Sequence, residues 1–509
     1  MMTARHHRRF GAGLRATATA ILLATTSVPA WADEELAEAP PEIPAGAEIV
    51  EFDDSVFVSD PVYEDNSYNP DAQIDIYGGK TAIDAPRPLL EWGNPLYQAG
   101  ELGDDYAFMG TNNLMRPGLR AYGDLRTAVA FNNNGGNELG QVATRLNLDI
   151  DLMLTATERI HAFFRPFDQD NKFTRYEFAG GDHERGFTNE FNGIPQNLYF
   201  EGDLGAIFGG FSGESQDFDL PFAVGLVPLL FQNGIWVDDA FVGGAFTIPA
   251  KNSPSLDITN YDITFFAGFD KVTNPGIRDS LGGLADDDLN IYGVTGFFEA
   301  NRGYWEAGFG GIQGKDSLKG EGFYSATMAF TKRYGGWLSN SIRGVWDFGQ
   351  NPAAGTPRTA DGFALLMENS FVSAQPLVLV PYFNAFVGFD TPQPLARNKG
   401  LLKNTGINFD TDDLTGFPKL DDTANNTFGG ALGLEYLFDL DHQIVFEVAG
   451  LKAFGDATGR SAPGDQAAIG IRYQEPLSLA WILQADAMYG VLENADNISG
   501  IRLELRRKF

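Results

Sequence analysis

The chain has 509 residues, with 36 Lys and Arg against 68 Asp and Glu, a formal net charge of −32, and no Cys. The acidic balance excludes a nucleic-acid binder, which needs a basic face. The lack of Cys excludes a disulfide framework, a thiolate metal site and a Cys nucleophile.

Residues 1–32 read as a secretory signal. Arg5, Arg8, Arg9 and Arg15 make a positive start, Ala16 to Thr26 a short apolar core, and Ala30-Trp31-Ala32 a cleavage site before Asp33. Loss of this segment would remove four Arg and no acid, taking the charge from −32 to −36. Its apolar core is too short to span a bilayer, and no later run is long and apolar enough to read as a transmembrane helix.

Residues 33–117 differ in composition from the rest of the chain. They begin rich in Glu, Ala and Pro, a composition that cannot bury a core. Later they gain Ile74, Ile76, Tyr77, Leu89, Leu90 and Trp92. The expectation is a partly disordered periplasmic extension, or a plug, through which a periplasmic partner would bind. Gly78-Gly79-Lys80-Thr81 lacks the earlier Gly of a phosphate loop, so no nucleotide site is expected.

From Gly118 the chain becomes a series of alternating segments, close to the length a tilted membrane strand needs. Eighteen are read, at about 118–132, 140–154, 157–168, 197–210, 220–230, 236–249, 258–271, 288–300, 303–313, 321–333, 337–349, 361–374, 377–389, 426–438, 442–453, 465–475, 478–489 and 498–509. The even connections are mostly short, as at Thr155-Ala156, Asn301-Arg302, Gln375-Pro376 and Pro476-Leu477. The long ones, 169–196, 272–287, 350–360 and 390–425, are all odd. Such sorting by parity is that of an outer-membrane barrel, with short periplasmic turns and longer outer loops. The expected fold is all-β: a closed antiparallel transmembrane β-barrel of about 18 strands (16–18) over 118–509, preceded by the extension.

The faces separate within strands. Leu146, Leu148, Ile150 and Leu152 oppose Arg145, Asn147, Asp149 and Asp151, while Ile160, Ala162 and Phe164 oppose Arg159, His161 and Arg165. An Arg or Lys at the bilayer midplane costs about 2–4 kcal/mol, so charged faces should look inward. The expected lumen lining is Arg120, Asp124, Arg126, Arg145, Asp149, Asp151, Arg159, Arg165, Glu201, Asp203, Arg343, Asp347, Arg472, Asp486, Arg502, Glu504 and Arg506. Much of the Arg falls on the first and last three strands, neighbours once a barrel closes. Either these charges set up a field across the lumen, or they pair and brace the wall. Loop 390–425, with Asp410, Asp412, Asp413, Asp421 and Asp422, reads as a solvated acidic loop near lipopolysaccharide. Neither it nor the Asp286-Asp287-Asp288 run has calcium-loop spacing, so no metal site is expected.

No nucleophile elbow or His-Glu-x-x-His is present. His161 lies on a charged face, His183 in a loop and His442 at a turn. No catalytic residue and no cofactor are expected.

The last strand, Ser499 to Phe509, alternates Ile501, Leu503 and Leu505 with Arg502, Glu504 and Arg506. It resembles the C-terminal signal of bacterial outer-membrane β-barrels. That resemblance implies that Phe509 is read by the barrel assembly machinery, in a Gram-negative outer membrane among lipid and lipopolysaccharide. The strand count and the long Phe- and Gly-rich barrel resemble porin-like channels, and within them the alginate-export type of eighteen-stranded barrel. The resemblance covers about 118–509 in architecture. It implies a channel for diffusion or export of a polar solute or polymer. The Glu- and Asp-rich lumen departs from the basic conduit that an anionic polysaccharide such as alginate would want. The competing expectation is a plugged structural or docking barrel. Oligomeric state is not legible.

Overall fold

A computed structural model describes residues 86–93, 106–107, 114–115 and 117–509, except 170–171, 181–184, 279–282, 284, 286–287, 404, 412, 439–441 and 457–458. The signal segment, residues 33–85, Gly78–Thr81, His183 and Asp286-Asp287 lie outside the described residues.

Eighteen strands form the wall. They begin with β1 Gly118–Asn134, β2 Glu138–Met153, β3 Arg159–Phe164, β4 Pro195–Asp203, β5 Pro221–Phe231 and β6 Val237–Ser253. Next come β7 Ile258–Asp270, β8 Leu289–Ala300, β9 Gly303–Gly314, β10 Phe323–Tyr334, β11 Leu338–Phe348 and β12 Asp361–Phe371. β13 Leu379–Thr391, β14 Thr427–Phe438, β15 His442–Ala453, β16 Gln466–Pro476, β17 Trp481–Leu492 and β18 Ile498–Lys508 complete it. Each pairs antiparallel with the next, and β18 closes on β1 from Ile498↔Asn134 to Lys508↔Asp124. The barrel is thus closed, with eighteen antiparallel strands. One end carries short turns and the other the long loops.

The closing seam continues past β18. Phe509 and Gly123 exchange backbone hydrogen bonds, 3.0 Å and 2.9 Å. Gly123 has φ +156°, and a Cβ there would sit 2.0 Å from the Asn147 carbonyl oxygen, so only glycine fits this crossing. Below it, Leu90–Trp92 pairs with β1 at Leu90↔Ala121 and Trp92↔Leu119. The described piece of the extension therefore adds a strand to the wall at the turn end.

Burial follows the pleat. In β18, Ile501 is 66% exposed and Arg502 4%. The exposed apolar face continues round the barrel through Phe446, Ile469, Trp346 and Phe309. The buried hydrophobic cluster lies within the barrel, where Trp236, Phe241, Phe266, Leu395, Leu401 and Phe409 meet.

The strands match the expected ranges closely, with two differences. β3 ends at Phe164, and its place beside β2 is taken further up by Lys172–Gly180, inside what reads as loop. The fourth segment stops at Asp203 and turns into α1, Leu204–Ser212. Asp203 caps that helix, accepting from Ala206 N at 2.9 Å, and also accepts from Leu220 N at 2.8 Å. A capping carboxylate ends the strand, and the alternation within LGAIFGGF does not carry it on.

Candidate functional site

The inner face has two unlike halves. From β16 through the seam to β4 it is charged, and the charges are locally paired. Asp486 on β17 receives Arg472 at 2.6 Å from one side and Arg502 at 3.0 Å from the other. Glu504 lies 3.9 Å from Arg502 and 3.4 Å from Arg506. Across the seam Arg126 meets Asp124 at 2.8 Å, and Asn147 donates to Asp124 at 2.9 Å. Nearer the turns, Asp151 accepts from the Tyr122 hydroxyl at 2.7 Å and faces His161 at 2.7 Å and Arg159 at 3.3 Å. Arg159 reaches on to Glu201 at 2.5 Å. Along this wall the Arg159 and Glu201 side chains keep 36% and 34% of their surface open. Charged groups left this accessible require water beside them.

The opposite half, centred on β6–β13, is apolar near the long-loop end and is covered from within. The expectation of a solvated acidic loop is overturned: the connection 392–426 folds into the barrel. Its core is Leu395, Leu401, Leu402, Phe409 and Leu420, all buried. Ala396–Arg397 runs parallel to the start of β6, at Val237↔Ala396. Inner-face carboxylates hold the loop backbone. Glu447 on β15 accepts from Ile407 N and Asn408 N, both 2.9 Å, and Asp347 on β11 accepts from Gln393 N at 2.6 Å. The loop tip then crosses to the charged half. The Thr415 carbonyl accepts from Asn132 and Gln141 side chains, both 2.6 Å, and the Phe417 ring centre lies 5.7 Å from the Arg502 guanidinium carbon. At that level Arg502 and Glu504 are almost fully covered.

A second inward element is the tip of the β5–β6 hairpin. Trp236 is fully buried, and its Nε1 donates to Ser325 Oγ on β10 at 3.1 Å. Thr327 Oγ1, also on β10, donates to Gln232 Oε1 at 2.8 Å. β5–β6 and β10 stand apart in the wall, so these contacts run through the interior. The tip also joins the loop, with Leu395 N donating to Trp236 O at 2.8 Å.

The structure brings Asp124, Arg126, Arg145, Asp149, Asp151, Arg159, Glu201, Arg472, Asp486, Arg502, Glu504 and Arg506 onto one continuous wall. Arg120 lies in register with Asp151 and Glu91. Arg165 stands at the break after β3, 3.4 Å from Asp168. Arg343 is apart, 1% exposed between Glu306 at 3.6 Å and Glu368 at 3.2 Å. Asp203 caps a helix, and Asp347, on the inner face, holds the loop at Gln393. His442 sits 3.3 Å from Glu475 at the turn end. Sequence reasoning missed Trp236, Phe417 and the loop contacts of Asn132 and Gln141. One signal was present: the apolar Leu395, Leu401, Leu402, Phe409, Leu414, Phe417 and Leu420 are too many for a loop in water. Among the described residues no group of three or more His, Asp or Glu side chains is placed to hold a metal.

No protein-family model matches the chain, and no curated relative does. Solved structures do match in shape. The outer membrane protein OpdK of Pseudomonas aeruginosa superposes with a TM-score of 0.50 at 11% identity, over 76% of this chain and 98% of OpdK. OccK11 (OpdR) of the same organism gives 0.49 at 10% identity, over 77% of this chain and 96% of its own. The likeness to OpdK is one of fold, a porin-like eighteen-stranded barrel, and lends no support to the alginate-export type.

Proposed function

We propose that the protein is an outer-membrane channel for a small polar or charged solute, which travels beside the charged wall. The observation that carries this reading is the asymmetry of the interior. Loop 392–426 and the β5–β6 tip fill the apolar half, while the half from Arg472 to Glu201 keeps partly open, solvated charges. The loop tip at Phe417 reaches across to Arg502 on the charged wall. A loop folded into the barrel leaves less room in the lumen, which favours small solutes over a polymer. Barrel fold and alternation of exposed apolar with inner charged residues support a location in the outer membrane of a Gram-negative bacterium, with the long loops outward.

Reversal potentials in a planar bilayer under a salt gradient test the reading. Arg126→Glu converts a partly covered wall cation into an anion and is expected to move selectivity toward cations, by about twofold in the permeability ratio. An unchanged reversal potential would show that the permeating ions do not pass this wall.

A further inference from the structure

The inward turn of the β5–β6 tip leaves a mark on the wall it departs from. β5 pairs with β6 along its whole length, from Phe222↔Phe246 to Phe231↔Val237. With β4 it pairs only from Asp203↔Pro221 to Leu198↔Leu226. Among the described residues, Val227–Phe231 thus has a ladder neighbour on one edge only. The chain that leads into β4 does not fill that place. It is tied to the other side, with Glu190 N donating to Thr174 Oγ1 at 3.0 Å and Asn192 N to Pro166 O at 2.9 Å.

We infer that the wall is open sideways between this stretch of β5 and the approach to β4, and that the opening admits a single-chain amphiphile from the bilayer into the lumen. Because the tip has withdrawn into the interior, its unpaired edge can meet water in the lumen, and the wall above Leu226 is left without a strand beside β4. Pro228 lies within the unpaired stretch. Proline within sheets is confined to strand edges and opposes addition of a further peptide strand, which disfavours a protein occupant. The surroundings are apolar and accessible: Phe191, Ile194 and Leu198 on one side, Leu230 on the other. Leu230 and Phe231 also line a cavity of about 430 Å³, whose far wall holds Phe297, Thr295 and Glu306. That size is within the range of small-molecule sites. Its apolar lining, Leu230, Phe231 and Phe297, suits an alkyl chain. Its Glu306, which Arg343 meets at 3.6 Å, and Asp262 in the same lining leave an acidic surface that suits a neutral or cationic head over a carboxylate. The proposal deepens the channel reading by adding a second way in.

The test uses the full chain in bilayers doped with a dodecyl-trimethylammonium ion carrying a chain-end diazirine. After illumination, adducts are mapped by mass spectrometry. Labelling of Phe297 and Thr295, besides the lipid-facing Ile501 and Phe446, is expected. The chain has no Cys, so Ile194→Cys with Leu230→Cys can be bridged by a bifunctional thiol reagent. Bridging is expected to lower labelling of Phe297 and Thr295 about fivefold or more and to spare Ile501, because only the sideways route is closed. The unbridged double variant controls for folding through its own Ile501 label. Phe297 and Thr295 unlabelled in the unaltered protein, or labelled equally after bridging, would overturn the proposal. Ion conductance recorded on the same unbridged protein separates the two readings. Its absence would sink the channel, while the adduct map still decides the opening.

Discussion

Arg502 shows how a charge on this wall can be structural. It lies between Asp486 and Glu504, beneath the Phe417 ring, with 3% of its side chain exposed. Removing one member of such a buried set leaves uncompensated charge and costs about 3–5 kcal/mol. Arg126 keeps 16% of its side chain open beside Asp124, so its pair lies between the buried set and a surface pair and should cost less to break. Urea unfolding of the barrel in lipid should therefore separate Arg502→Ala, strongly destabilised, from Arg126→Ala, destabilised less. Equal losses would contradict the division into bracing and lining charges. Gly123 is a second single-residue constraint. Gly123→Val drives a side chain into the Asn147 carbonyl at the closing seam. The heat-modifiable band of a closed barrel should be largely lost on semi-native gels, and a normal band would show that the seam tolerates the clash.

The long loop is the element that most shapes the pore. Glu447 binds two of its amides and also accepts from the Tyr382 hydroxyl at 2.5 Å. Glu447→Ala frees that anchor and is expected to raise single-channel conductance roughly twofold, as a constriction is relieved. No change would mean that the loop does not limit flow. The loop is also expected to respond to pH. Burial pushes Asp421 and Asp410 above the usual carboxylate range. A carboxyl raised in the docked state favours docking when protonated, and that advantage fades as pH rises through its docked value. Acidification from neutral toward the ordinary Asp range should thus tighten the loop and lower the current. A rise in current on acidification would contradict this sign. The strands around the loop were legible in the sequence, because period-two alternation and the parity of connection lengths are local features. Docking of the loop was not. Its apolar residues are interleaved with Asp410, Asp413, Asp421 and Asp422 and keep no period. Its partners, Glu447, Asp347, Asn132 and Gln141, lie on strands that meet it only after closure. The charged wall was legible as a set of inward residues. Their pairing depended on register across the seam, which alternation alone does not give.

At the scale of the whole molecule, closure converts a sequence with charges spread along its length into a barrel with one wet, charged wall and one filled, apolar half. β16–β18 come from the end of the chain and β1–β4 from the start of the wall, so the continuous charged wall exists only when β18 meets β1. The infolded loop and hairpin tip then occupy the other half, and the loop tip at Phe417 reaches across to Arg502. The most direct measurement is single-channel recording in a planar bilayer, comparing the unaltered protein with a form whose loop tip, residues 411–418, is replaced by a short Gly-Ser linker. A steady current from the unaltered protein that increases when the tip is removed is the predicted result. Silence from both forms, in barrels shown by heat-modifiability to be folded, would contradict the account.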